Sequence, residues 1–122
     1  MVKLMFALRR LPTLSSAEFH EYWYETHGPL VRKHAEKLKI RRYVQTHTME
    51  DSLNAVLRQS RGAEDAYDGV AELWWQSRDE LEKTLTSAEG REAARILLED
   101  EKKFIDLGRS ALWIAEERPI IG

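Results

Sequence analysis

The sequence contains no cysteine, and that single absence removes disulfides, thiolate nucleophiles and cysteine-ligated zinc or iron–sulfur centres together. It also fits a reducing compartment. Long apolar runs are missing too: in MVKLMFALRRLP the run from Leu4 to Leu8 is closed by Arg9 and Arg10, too short for the apolar core of a signal peptide or for a membrane span. Cytoplasmic residence and no membrane partner are expected. Neither sign of charge dominates, since 19 basic and 21 acidic residues spread along the chain leave a net charge of -2. No basic field exists to gather nucleic acid or anionic lipid, so no nucleic-acid partner is expected. Glycine-rich phosphate loops, a nucleophile elbow and a His-x-x-x-His pair are absent, and the spaced histidines lack the nearby carboxylates that would complete a metal site.

What is present describes a folded chain. Its 122 residues are 43% hydrophobic and 33% charged, which predicts one core and a single domain over residues 1–122. Val2, Leu4, Phe6 and Leu8 alternate, with Met5 and Ala7 apolar on the other side, predicting a strand buried on both faces. Ser15-Ser16-Ala17-Glu18 reads as a capping box that starts a helix. Phe19, Trp23, Thr26 and Leu30 form its stripe until Gly28-Pro29 interrupts the pattern, and Pro29 suits the first turn of a second segment from Leu30 to Leu38. LKIRRYVQTHT alternates as a second strand, with Tyr43, Gln45 and His47 on one face. Between Met49 and Ala66 the composition turns polar, yet Leu53, Val56 and Leu57 keep a spacing that seats one or two helical turns against the core before a loop at Arg61-Gly62.

Asp68-Gly69 opens a third strand, VAELWWQ, whose adjacent Trp74 and Trp75 point to opposite faces. Ser77 to Glu80 repeats the capping box and starts a helix carrying Leu81 and Leu85. A longer helix follows Gly90 with Ala93, Ala94, Leu97, Leu98 and Phe104 as its stripe, and SALWIAEE is the last strand. The order β-α-β, polar insert, β-α-α-β predicts an α+β fold on the ferredoxin-like, split βαβ plan with a four-stranded antiparallel sheet. Helices cover one face of such a sheet; the apolar second face needs a cover, and a two-fold homodimer supplies one.

The candidate chemistry begins with the four histidines, whose ordinary pKa lies near neutrality. His20, His27 and His34 are seven apart, but Gly28-Pro29 breaks their alignment, and His20 and His34 read as exposed polar residues. His27, before the Gly-Pro turn, either caps the helix or points into a cleft, where the helix C-terminus favours an imidazolium. His47 shares a face with Tyr43 and Gln45; if that face meets the helices, the three line a cleft against Trp23. Otherwise His47 sits near solvent or in a dimer seam. Tyr22, Trp23 and Trp75 belong to an aromatic set that packs the core or stacks on a flat ligand. Glu72 is either a paired carboxylate or a ligand contact, and Arg58 either clamps an anionic substrate or lies on a solvated surface.

The residues FHEYWYETHGPLVRK resemble the EthD family, whose hallmark is an aromatic-Trp pair followed by a His-Gly-Pro turn at the end of the first helix. The resemblance extends through SLNAVLRQSRG, YDGVAELWW, SAEG and LLEDEKKFID. It implies a dimeric α+β barrel, in which two ferredoxin-like sheets pack face to face and each subunit keeps a pocket between its own sheet and helices. The family includes lactone methylisomerases, polyketide dehydratases and decarboxylases, and members of undefined role in degradative operons. Their shared chemistry implies cofactor-free proton transfer on cyclic, aromatic or polyketide-like carbonyl compounds, in a lyase or isomerase that needs a histidine or acid in an apolar cleft. His27 is carried over from the Thr-His-Gly-Pro motif, as catalyst or scaffold; His47 and Tyr43 come from the strand pattern as proton carrier and as orienter or oxyanion donor. A non-catalytic protein that binds a small hydrophobic ligand is the alternative. Haem handling, known elsewhere in the barrel superfamily, lacks an axial-ligand signal.

Overall fold

A computed structural model describes residues 1–122. The order is β1 (Val2–Leu8), α1 (Ser16–Tyr22), a π-helical turn (Trp23–His27), α2 (Gly28–Leu38), β2 (Arg42–His47), α3 (Leu53–Arg61), β3 (Gly69–Trp75), α4 (Arg78–Thr86), α5 (Ala88–Glu101), a 3-10 turn (Leu107–Arg109) and β4 (Ala111–Ala115). All neighbouring strands are antiparallel, in the order β2-β3-β1-β4. Pairing β1 with β3 at the centre, with each crossover helix on the same side, is the ferredoxin-like plan.

The helix starts are local events. Ser15 accepts from the Glu18 amide while the Glu18 carboxylate accepts from the Ser15 amide. Ser77 likewise accepts from Glu80 N–H, but the Glu80 carboxylate takes the amide of Gln76 and the guanidinium of Arg41 instead, so the second box is half closed. Gly28-Pro29 does not interrupt the first helix as expected. The chain passes through the π turn directly into α2, with Gly28 right-handed and its N–H bonded to Trp23 O. Proline lacks an N–H and its ring crowds the carbonyl four residues back; one extra residue in the turn relieves both faults. His27 therefore lies inside a continuous helical run, not at its end.

Two further expectations change. The last long helix begins at Ala88, before Gly90, with Ser87 accepting from Gly90 N–H. A Cβ on Gly90 would lie 1.8 Å from Thr84 O, so glycine is what allows α4 and α5 to meet so closely. Phe104 falls beyond the end of this helix, though it is fully buried. In α3, Leu53, Val56 and Leu57 are 61%, 59% and 64% exposed, so the helix forms as its spacing predicts but its apolar stripe does not seat on the core.

Register decides the faces of the sheet. Leu4, Leu73 and Tyr43 lie in one cross-strand row, Phe6, Ala71 and Gln45 in the next, and Leu8, Gly69 and His47 in the third. Leu8 and Ala71 pack with Phe19, Trp23, Phe104 and Ile105 in the main core cluster, which places Tyr43, Gln45 and His47 on the helix side. Val31, Leu38, Ala93 and Leu97 form a second cluster between α2 and α5. Gly69 opens β3 because the Trp23 indole lies against its backbone: an added Cβ would stand 2.5 Å from Trp23 Cζ3.

Trp74 and Trp75 do point to opposite faces. Trp75 Nε1 donates to Leu38 O on the helix side at 2.7 Å. Trp74 faces outward between Lys3 and Arg42, whose charged groups lie 5.2 and 4.7 Å from its ring. On this outer face Glu72 pairs with Lys3 at 3.2 Å, the paired reading of that carboxylate.

Candidate functional site

The π turn aims His27 toward the end of α5, and the result is a buried polar cluster. His27 Nδ1 lies 2.8 Å from Asp100 Oδ2, and Tyr22 OH donates to Asp100 Oδ1 at 2.5 Å. A carboxylate with a donor on each oxygen fixes the proton on His27 Nδ1 and leaves Nε2 with a lone pair. Nε2 has no partner in the chain, and no buried side-chain nitrogen or oxygen is left both sealed and unpaired, so Nε2 is available to the cavity that His27 lines.

That cavity, of about 130 Å³, lies between the sheet and the helices. Leu4, Phe6, Trp23, Val31 and Leu97 are among its apolar walls, and its polar groups are His27, Tyr43 and Glu101. No lysine or arginine lines it. Burial lowers the His27 pKa, against the opposing pull of Asp100, so the imidazole is neutral at pH 7. The imidazolium expected from a helix C-terminus does not form, because the helix does not end there and desolvation outweighs the carboxylate. Glu101 moves the other way: burial, then the charge of Asp100, pushes it up to about 7. Burial raises the Tyr43 hydroxyl as well, and burial followed by its bond to Asp100 pushes Tyr22 up to about 12. A neutral base, a carboxyl that is about half protonated at neutral pH and a neutral phenol thus share one apolar space.

A second polar chain runs outward from Tyr43. Gln45 Nε2 donates to Tyr43 OH at 2.8 Å and to Trp23 O at 2.9 Å, and Gln45 Oε1 faces His47 Nε2 at 2.8 Å. His47 Nε2 therefore carries the hydrogen, its Nδ1 accepts, and His20 Nδ1, 2.7 Å away, donates. His20 is half-buried against Phe19 and His47; it is not the exposed residue its polar neighbours suggested. Burial first, and His20 second, lower the His47 pKa. His47 lines a separate outer cleft of about 560 Å³ between α2 and β2, and Tyr43 and Val31 form part of the wall of both spaces.

The sequence-derived site residues are thus divided. His27, Tyr43 and Trp23 meet at the inner cavity, and Tyr22 stands behind it through Asp100. His47 is one layer out. Trp75 is buried and lines neither space, Glu72 is on the opposite face of the sheet, and Arg58 on α3 pairs with Asp65 at 3.0 Å and lines neither. The sequence pattern did not single out Asp100 or Glu101, whereas Gln45, expected beside Tyr43 and His47 on the cleft face, stands there. The signal for the acids was there: Asp100 and Glu101 stand three and four residues after Leu97, on the apolar stripe of α5.

Residues 11–108 match the EthD domain. No curated protein sequence matches the chain. Solved structures with a similar fold include an EthD family protein from Bacillus halodurans C-125, at 24% identity and a TM-score of 0.63, covering 97% of this chain and 99% of that one. A dimeric protein of ferredoxin-like fold from Bacteroides fragilis NCTC 9343 gives 11% identity and a TM-score of 0.59, covering 95% of each chain. SnoaB, a cofactor-independent oxygenase from Streptomyces nogalater, gives 13% and 0.53, covering 98% of this chain and 95% of that one. At these identities the likeness to solved structures is one of fold.

Proposed function

The chain belongs to the EthD family, and within it we propose a cofactor-independent lyase or isomerase that moves a proton on a small cyclic or aromatic carbonyl compound. His27 Nε2 removes a proton beside the carbonyl, Tyr43 donates a hydrogen bond to the developing enolate oxygen, and protonated Glu101 returns a proton to carbon or to a leaving hydroxyl. Asp100 and Tyr22 are positioning residues: they hold the His27 tautomer and ring. The observation that carries this reading is the His27–Asp100 bond at 2.8 Å, with the other imidazole nitrogen free toward a cavity that also contains Glu101. Acid and base with pKa values pushed apart from their ordinary ones are what general acid–base catalysis near neutrality requires.

The cavity sharpens the substrate class. A void of roughly 150 Å³ accommodates benzene, so about 130 Å³ suits one ring, and the absence of any cationic lining favours a neutral one. A polyketide-sized molecule would place one ring inside and the rest beyond. His47 acts in support, fixing Gln45 and through it the Tyr43 hydroxyl, and Trp23 is the aromatic wall.

A panel of simple carbonyl compounds tests the chemistry directly. Monocyclic ketones, diketones and lactones are incubated with the protein in D₂O, and deuterium entering the carbon beside the carbonyl is followed by NMR. Exchange above the buffer rate with at least one compound is expected, falling roughly 10²- to 10⁴-fold in His27→Gln and Glu101→Gln. Exchange indifferent to both substitutions would overturn the assignment. Saturable binding with no exchange would favour the non-catalytic ligand-binding reading, which the apolar cavity also supports.

We further propose that residues 1–122 act as one domain in the cytoplasm, as a homodimer joined through the outer sheet face. Trp113 and α3 support the dimer: Trp113, 45% exposed, shares that face with Met5, and the α3 stripe has no cover within its own chain.

A further inference from the structure

The inner cavity reaches solvent at one edge of the sheet. Among the residues that line it, only Leu112 is largely exposed, at 57%; the others are buried or half-buried. Leu112 belongs to β4, an edge strand, and Tyr43 to β2, the opposite edge. Three strand spacings separate the two edges, about 14 Å. The cavity therefore runs across the sheet from Tyr43, past Leu73 and Leu4, to a mouth at β4.

The rim of that mouth is apolar. Register sets Leu112 beside Phe6 and Ile114 beside Leu4, so both side chains stand on the helix side of the sheet. The helices leave them uncovered, since Ile114 is 49% exposed. Across the mouth on α5, Glu101 lines the cavity, and Leu98, also exposed, is its side-chain neighbour three residues back. The dimer proposed above uses the other face of the sheet and leaves this rim open.

We propose that the substrate is a ring bearing an apolar chain on the side away from its carbonyl, and that Leu112 and Ile114 are the specificity-determining residues that hold this chain. The orientation rests on the proton-transfer reading, in which Tyr43 holds the carbonyl oxygen. With that oxygen at the β2 end and room for one ring, whatever the ring carries opposite the carbonyl leaves at β4. Each methylene laid on Leu112 and Ile114 gains from burial. A charged group there would lose water with no cation in the cavity to meet it.

The probe is 4-butylcyclohexanone, titrated into the full chain and followed by methyl NMR, with cyclohexanone and 4-oxocyclohexanecarboxylate as comparisons. The butyl compound should bind about 10- to 50-fold more tightly than cyclohexanone, shift the Leu112 and Ile114 methyl signals saturably, and exceed the carboxylate by more. Leu112→Ser should remove most of the gain and leave cyclohexanone binding in place; Leu112 is exposed, so the variant keeps its fold, and Ile114→Ser is the second test of the same rim. Butyl and parent compounds bound alike, a gain indifferent to both substitutions, or a carboxylate that binds best would overturn the proposal. Contacts of the Ile114 methyls with Ile120 or Ile121 in the ligand-free protein would also overturn it, because a chain terminus would then cover the rim. Binding is read apart from proton exchange: a butyl preference without exchange removes the reaction and keeps the chain site, and exchange without the preference does the reverse.

Discussion

Glu101→Gln should alter how stability depends on pH, with a sign and size that follow from one buried carboxyl. Its pKa stands at about 7, against an ordinary 4.5, because burial and the neighbouring Asp100 charge disfavour the ionised form. A raised folded pKa gives a contribution fully present below 4.5 and lost as pH climbs through about 7. Each pKa unit is worth about 1.4 kcal/mol, so ionising Glu101 in the folded protein costs roughly 3.5 kcal/mol, of which about 1 kcal/mol is already lost below pH 5. Glutamine keeps the shape and does not titrate. Wild type should therefore lose roughly 2–3 kcal/mol relative to the variant between about pH 5 and about pH 9, which for a chain of this size is roughly 6–12 °C in melting temperature. His27 runs the opposite way, its lowered pKa weakening the fold as pH falls below the ordinary 6.5. Both proteins retain His27, so it largely cancels in the difference. Thermal melts followed by circular dichroism across that range are the assay. A difference independent of pH, or a wild type that gains on the variant at alkaline pH, would contradict a Glu101 carboxyl kept neutral by burial.

Asp100→Asn should release the His27 tautomer, visible as loss of the Nδ1–H state in ¹⁵N NMR, and cost about 2–4 kcal/mol because two buried donors lose a carboxylate; an unchanged tautomer would remove Asp100 as the positioning group. Gly69→Ala should destabilise by about 1–3 kcal/mol in urea unfolding, since its Cβ would meet Trp23 Cζ3 at 2.5 Å and Thr46 O at 2.7 Å; equal stability would mean the indole yields freely. Light scattering should give wild type twice the 14.3 kDa chain mass and Trp113→Glu the single mass, and a monomeric wild type would refute the sheet-face dimer.

The features legible in the sequence are those made by neighbours in it. The Ser15 capping box, strand alternation and the opposed tryptophans depend on residues a few positions apart, so the element order and the ferredoxin-like plan follow from pattern alone. Spacing also predicted that α3 forms, but not where its apolar stripe goes, because seating a helix depends on what surface lies opposite. Gly28-Pro29 read as a break because a π turn has no composition signature; the extra residue answers a backbone problem that only the continued helix poses.

Local pattern thus dictated which segments become helix or strand and offered His27 and Tyr43 as chemistry-bearing residues. Which of them act together was decided by folding. His27 and Asp100 are 73 residues apart in the chain, His20 and His47 are 27 apart, and neither separation carries a local signal. Protonation was settled at the same level: a carboxyl or imidazole shifts its pKa through desolvation and nearby charge, and both exist only once α5 and the π turn have closed over the sheet.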